Sequence, residues 1–299
     1  MSPQSITCVG IGNMGSALAH TLLKANTHIT VWNRTKDRPL VASVTEAGAK
    51  FESSIVEAVS KSDVVLICVV DYPALYQAFE PLASASALAG KVIVNITNGT
   101  PREAREAEEF MKTRGADRYF DGAIMVVPQM VGTPHSFLII SGGDEESFQA
   151  PKELLEPLGK ILYVSPDVDA AAAQDLAALS TMYGMFTGAF SGFALLKRTT
   201  KAKDAAIGPA VQNVIIPTIT PLVPYLHLIA ESMDKKTEGD SLGNPLSMQL
   251  AGLGNITTGC KQEGVNVRPL EAFAALMQKA VDDGWGDGGV AAVGRYFLE

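Results

Sequence analysis

The chain has 299 residues, 47% of them hydrophobic, and carries 24 basic against 32 acidic side chains for a net charge of −8. The apolar fraction excludes a disordered chain, and the length allows about two domains. The acidic balance argues against nucleic acid or an anionic membrane as the main partner, though it is compatible with a local basic site.

The first element is a strand at Ser5-Ile6-Thr7-Cys8-Val9. It begins so near Met1 that no secretory leader is expected. Gly10-Ile11-Gly12-Asn13-Met14-Gly15 follows, and a helix-prone segment runs on from Ser16. Ile29-Thr30-Val31-Trp32 reads as the second strand. A GxGxxG between a strand and a helix, with a second strand soon after, is the context of a dinucleotide site. Gly10 permits the tight turn, Gly12 lets backbone approach a pyrophosphate, and Gly15 lets helix and strand pack closely. The amides of Asn13 and Met14 open the helix N-terminus, where phosphate is favoured. The residues after the second strand choose the cofactor. A site for NAD usually has Asp or Glu there. This chain has Asn33, Arg34, Thr35, Lys36 and then Arg38. Arginine grips a 2′-phosphate that a carboxylate would repel, so NADPH is expected over NADH.

Ser62 to Val70 is an apolar run fit for a parallel strand buried on both faces, and it brings Val69 and Val70 to the same cofactor. Asp71-Tyr72-Pro73 opens a helix. Lys91 to Asn95 is a strand, followed by Asn98-Gly99-Thr100-Pro101 with Thr100 as N-cap and Pro101 at the first helical position. Tyr119–Val127 and Ser136–Ser141 read as further strands, and Asp144-Glu145-Glu146 as the acidic start of a helix. This alternation predicts a doubly wound α/β domain over 1–165. Beyond it, 166–299 contains no convincing strand and reads as an all-α domain. One long helix is expected from Asp169 to about Lys197, then helical segments near 204–233, 243–263 and 269–284. Gly184, Gly188 and Gly192 recur every four residues, which suggests close packing against a neighbouring helix. The apolar run Ile207–Ala230 is interrupted by four prolines, making it a poor membrane span and a plausible broken, buried helix. Helices this apolar exceed what a small domain can bury, so a homodimer is expected. Cys8, Cys68 and Cys260 are too scattered for a disulfide framework or metal site, and a reducing, cytoplasmic setting follows as the default.

No Ser-His-Asp, zinc-ligand or P-loop pattern is present. Hydride transfer asks little beyond placement of the nicotinamide and a charge or proton partner. Asp175 is the outstanding candidate, a lone carboxylate among Ala170–Ala173 and Leu176–Leu179. A carboxylate at a helix start also balances the dipole, so structural and functional readings both stand at this point. Tyr183 lies eight residues on, about 80° around the helix.

Gly10–Gly15, Val31–Thr35, Asn98–Pro101, Ile124–Pro128, Asp175 with Tyr183-Gly184, and Ser247–Gly252 together give the chain a resemblance to the 6-phosphogluconate dehydrogenase-like, or β-hydroxyacid dehydrogenase, superfamily. Within it the chain is most similar to imine reductases and fungal reductive aminases. Hydroxyacid dehydrogenases of this superfamily carry a catalytic lysine on the long helix. Here Asp175 stands at the matching position, and no lysine occurs between Lys160 and Lys197. The resemblance implies NADPH-dependent reduction of imines or iminium ions, including amination of carbonyls with small amines. It implies roles for Asp175 in holding or protonating nitrogen, Tyr183 in assisting and Asn98 in positioning substrate. Met125, Pro128, Leu222, Met248 and Gln249 would belong to the pocket, the last two from the partner of an interlocked dimer. Leu222 departs from the family, whose fungal members often have Trp after this Thr-Pro. Hydroxyacid oxidation and a non-catalytic NADPH sensor are the alternatives.

Overall fold

The computed structural model describes residues 5–84, 86–199, 206–241 and 243–298. It divides into two compact units, Met1–Ser180 and Thr181–Glu299.

The first unit is built on one sheet of eight strands: β1 (Ser5–Val9), β2 (His28–Trp32), β3 (Lys50–Phe51), β4 (Val64–Ile67), β5 (Val92–Asn95), β6 (Arg118–Ile124), β7 (Phe137–Ser141) and β8 (Lys160–Ser165). Their order is β3-β2-β1-β4-β5-β6-β7-β8, parallel except for the antiparallel β6–β7 pair. β4 and β5 are buried at every residue, as expected where helices cover both faces. The helices are α1 (Asn13–Lys24), α2 (Pro39–Glu46), α3 (Ile55–Ser60), α4 (Tyr72–Phe79), α5 (Pro101–Lys112) and α6 (Gln149–Leu155). Two clusters form the core. In one, Leu18 and Leu22 of α1 join Val94, Phe120 and Phe148; in the other, Tyr72 and Leu75 of α4 join Ile67, Ile93 and Met111. The chain order of the strands reverses direction between β1 and β4, so a crevice opens outside their carboxyl ends, the usual ligand site of this architecture.

Several details differ from the sequence reading. The run Ser62–Val70 contributes only Val64–Ile67 to the sheet, because the chain turns away at Cys68 toward the crevice. The acidic stretch at Asp144 does not start a helix. Asp144 Oδ1 instead accepts from the Ser147 amide at 2.7 Å in a turn, and α6 begins at Gln149.

A long helix, α7 (Ala170–Thr199), runs through the unit boundary. The second unit continues with α8 (Gly208–Ala210), a π-helical turn over Val211–Ile215, α9 (Ile216–Ile219), a 3-10 turn over Thr220–Leu222, α10 (Tyr225–Lys235), α11 (Leu246–Gln262) and α12 (Arg268–Ala280). It contains no strand among the described residues. Residues 204 and 205 of the expected 204–233 segment lie outside the described residues. The proline-rich run is broken as expected, but it is not buried: α10 has no buried residue. Packing of Gly184, Gly188 and Gly192 against a neighbour is likewise not met within the chain, since nothing outside the helix's own backbone lies within 4 Å of where their Cβ atoms would stand. Both α7 and the Gly208–Lys235 run are long and apolar enough to cross a bilayer by length and composition.

Candidate active site

The crevice is a cleft of about 460 Å³ at the carboxyl ends of β1, β2 and β4. All eleven expected cofactor residues line it: Gly10, Gly12, Asn13, Met14, Gly15, Asn33, Arg34, Thr35, Arg38, Val69 and Val70. The glycines divide their labour as their spacing suggests. Gly10 has φ +94°, and a Cβ there would collide with the Cys68 carbonyl. A Cβ on Gly15 would collide with the Gly10 carbonyl, whereas beside Gly12 there is open space. The first ladder bond of α1 runs from the Ser16 amide to the Gly12 carbonyl at 2.9 Å. The amides of Asn13, Met14 and Gly15 therefore precede the ladder at the positive end of the dipole. A pyrophosphate fits this cradle.

The basic turn after β2 is more differentiated than its sequence suggests. Asn33 lines the cleft, but its side chain shapes the turn: Oδ1 accepts from the Ile11 amide at 2.9 Å and Nδ2 donates to the Thr35 carbonyl at 2.6 Å. Arg34 Nη1 donates to Gln77 Oε1 of α4 at 3.2 Å, which braces the guanidinium across the cleft mouth. Lys36 instead stands over the Phe51 ring, 5.6 Å from its centroid. Arg34, Thr35 and Arg38 remain as partners for a 2′-phosphate, and among the described residues no carboxylate lines the cleft to oppose it. The residues thus fit NADPH.

Asn98 and Asp175, 77 positions apart in the chain, are in contact: Asn98 Nδ2 donates to Asp175 Oδ2 at 2.7 Å. Each is placed by its own element. Asn98 lies on the loop between β5 and α5. The far end of that loop is fixed by a capping box, in which the Thr100 amide donates to Glu103 Oε2 at 2.8 Å and Thr100 Oγ1 accepts from the Glu103 amide at 3.3 Å. The Thr100 amide and the Thr100 hydroxyl, both donating to Oε2, hold the Glu103 carboxyl below its ordinary range. Asp175 lies one turn into α7, whose start is pinned by Ser141. The Ser141 hydroxyl donates to the Val168 carbonyl at 2.8 Å and accepts from the Ala171 amide at 2.9 Å. An ion pair between Arg105 and Asp169 adds a second tether. Asp175 is 7% exposed.

Behind this pair is a polar group that sequence reasoning missed. Asp121 of β6, buried, receives three hydrogen bonds on Oδ1: from the Tyr72 hydroxyl at 2.8 Å, the Tyr119 hydroxyl at 3.0 Å and Asn95 Nδ2 at 3.1 Å. Burial pushes its carboxyl up to about 7 against the lowering effect of these donors, and the charge of Asp175 pushes the same way as burial. A carboxylate within a continuous buried strand was the available signal. Gln77 was missed as well, because its link to Arg34 joins residues 43 positions apart that only the fold brings together.

The expected pocket residues are less gathered. Met125 packs with Ala123, Ile139 and Ala171 in a small cluster of the first unit, and Pro128 opens a 3-10 turn, Pro128–Met130. In the second unit, Tyr183 is 63% exposed and its ring contacts Phe186 edge-on. Leu222 and Met248 are also exposed, and Gln249 Nε2 donates to the Asn244 carbonyl at 2.7 Å.

Residues 5–165 match the family described as the NAD binding domain of 6-phosphogluconate dehydrogenase. Residues 167–298 match the family described as NADPH-dependent reductive aminase-like, C-terminal domain. An NADPH-dependent reductive aminase of Aspergillus oryzae is 37% identical over 292 residues, covering 96% of this chain and 95% of its own. Among solved structures, a reductive aminase from Aspergillus terreus in complex with NADPH4, cyclohexanone and allyl amine has a TM-score of 0.88 at 32% identity, covering 99% of this chain and 100% of the other. An imine reductase from Myxococcus stipitatus in complex with NADP+ has a TM-score of 0.86 at 26% identity, covering 98% and 99%.

Proposed function

This chain belongs to the family of NADPH-dependent reductive aminases and imine reductases, and from that premise we propose that Asp175, Asn98 and Tyr183 form its catalytic group. It is an NADPH-dependent oxidoreductase acting on C=N bonds. The observation that carries the assignment of residues is the 2.7 Å bond between Asn98 and Asp175. By donating to Oδ2, the Asn98 amide orients the carboxylate and leaves Oδ1 for a substrate N–H. A carboxylate held this way pairs with an iminium and leaves its carbon open to a hydride. It is poorly suited to an alkoxide, which a lysine would stabilise, and 161–196 contains no lysine. Bound NADPH supplies the hydride to the C=N carbon. Since an iminium already carries its N–H, Asp175 needs only to hold that proton and the positive charge beside it. Tyr183 is assigned the assisting role that the family resemblance implies.

The substrates proposed are an imine, or a ketone such as cyclohexanone together with a small primary amine, by similarity to the complex of the Aspergillus terreus relative. We place Met125, Pro128 and Leu222 in the pocket wall. Met248 and Gln249 are assigned to the wall contributed by the partner subunit of an interlocked homodimer. The reading is supported by the exposed aromatic face of α7 and by the open space beside its glycines.

The test is a single panel: NADPH oxidation with a cyclic imine, NADPH oxidation with cyclohexanone plus allylamine, and NADP+ reduction with 3-hydroxy acids. Turnover in the first two lanes is expected. Turnover confined to the third would overturn the proposal, and none in any lane would favour a sensor. A monomeric mass by light scattering at assay concentration would overturn the dimer.

A further inference from the structure

Asn98 is an exposed loop residue, yet it must meet Asp175 at hydrogen-bond distance. Two supports hold the loop from beneath, and both lead to the same buried carboxyl. Asn95, fully buried at the end of β5, accepts the Thr97 amide on Oδ1 at 3.2 Å while its Nδ2 donates to Asp121 Oδ1 at 3.1 Å. The Tyr72 ring lies against Gly99 so closely that a Cβ there would collide with it, and the Tyr72 hydroxyl is fixed on the same Asp121 oxygen at 2.8 Å. Thr97 and Gly99 flank Asn98 on either side.

We propose that Asp121 is a positioning residue for imine reduction: through Asn95 and Tyr72 it fixes the backbone on both sides of Asn98 and so sets the Asn98–Asp175 contact. The proposal rests on the reading of Asn98 and Asp175 as catalytic residues. Asp121 acts only through its partners. Its role depends on Oδ1 accepting three donors at once, which the amide oxygen of Asn does less well because the NH2 group beside it must find an acceptor of its own. A loop displaced by a fraction of an ångström misplaces the Asn98 amide, and rate is sensitive to errors of that size.

The experiment compares Asp121→Asn, Tyr72→Phe and Asn98→Ala, and pairs each of the first two with Asn98→Ala, in cyclic-imine reduction. Melting temperature and NADPH affinity are measured alongside. Asp121→Asn is expected to lower kcat by about tenfold to a hundredfold, and Tyr72→Phe by several-fold, with NADPH Kd within about twofold of wild type. In the Asn98→Ala background both penalties should shrink to about twofold, because the residue they position is gone. A purely structural role predicts the same penalty in both backgrounds. If Asp121→Asn fails to fold, Tyr72→Phe, which removes one oxygen from a packed ring, carries the same test. Two results overturn the proposal alone: slow Asn98→Ala with kcat unchanged in Tyr72→Phe and in folded Asp121→Asn, or penalties undiminished by Asn98→Ala. Full activity in Asn98→Ala overturns the catalytic reading, and the proposal with it.

Discussion

The two units manage their apolar surface in opposite ways. In the first, β4 and β5 are wholly buried, large side chains such as Tyr72, Phe79, Phe120 and Phe148 are inaccessible, and Tyr72, Tyr119 and Asn95 are hydrogen-bonded to the buried Asp121. In the second, Phe190 is 67% exposed, Val214 and Val223 are similarly bare, and the rings of Tyr183, Phe186, Phe190 and Phe193 run in succession along α7. An exposed apolar face of this kind fits the homodimer interface proposed above. The first unit is completed by its own chain, whereas the second has the apolar inventory of a core without the cover. Cofactor binding should therefore be a property of one chain, and any function that depends on the second unit a property of more than one.

The sharpest test lies in the first unit. Asp175→Ala is expected to lower kcat by about a hundredfold to a thousandfold while NADPH affinity, measured by fluorescence titration, stays within about twofold. Unchanged kcat would remove Asp175 from the chemistry. Next in size is Arg34→Ala, which should reduce kcat/KM for NADPH by about tenfold to a hundredfold and leave NADH use nearly unaltered. Gln77→Leu should act in the same direction by a few-fold, through loss of the 3.2 Å brace. Equal losses with both cofactors would mean that Arg34 supports the fold of the turn instead of reading the 2′-phosphate. In the second unit, Phe190→Glu places a charge on the bare face of α7. It should weaken self-association at least about thirtyfold, seen as a shift toward monomer in light scattering, with NADPH affinity kept. A variant that stays dimeric, or one that loses the cofactor, would break the contrast between the units.

How much of this was legible in the sequence follows the same division. Gly10, Gly12 and Gly15 could be read because each answers a local backbone demand, and the structure puts those demands where the spacing implies. Thr100, Pro101 and Glu103 were legible as a helix start for the same reason. The role of Asn33 was not, because a side chain that caps its own turn and one that reaches a ligand look alike in sequence. β3, two residues long, leaves almost no periodic signal, and the pairing of β6 with β7 in the opposite sense is set by tertiary packing. Asp175 was visible as an isolated carboxylate in an alanine-rich helix and the resemblance named Asn98 for positioning substrate, but the hydrogen bond between the two, 77 positions apart, is made only by the fold. The glycines of α7 were read as sites of close approach to a neighbouring helix, and among the described residues nothing packs against them.

The smallest expected effect concerns Asp121 and the stability of the first unit. Its carboxyl is pushed from an ordinary 3.8 up to about 7 by burial, with the Asp175 charge adding to the rise and Tyr72, Tyr119 and Asn95 opposing it. Between those values the folded chain keeps a proton that the unfolded chain has released. Folded protein thus binds more protons, and stability must fall as pH rises from about 4 to about 7, then level off for this group. Asp121→Asn abolishes that titration. Wild-type melting temperature should therefore decline more steeply than the variant's between pH 5 and pH 7, by a few degrees over the interval, with the two curves running parallel above pH 8. Taking the difference between the two proteins cancels the other carboxylates, including Glu103, whose lowered value acts at more acidic pH. Parallel curves across the whole range would mean that Asp121 is ionised throughout. The three donors on its Oδ1 would then outweigh its burial.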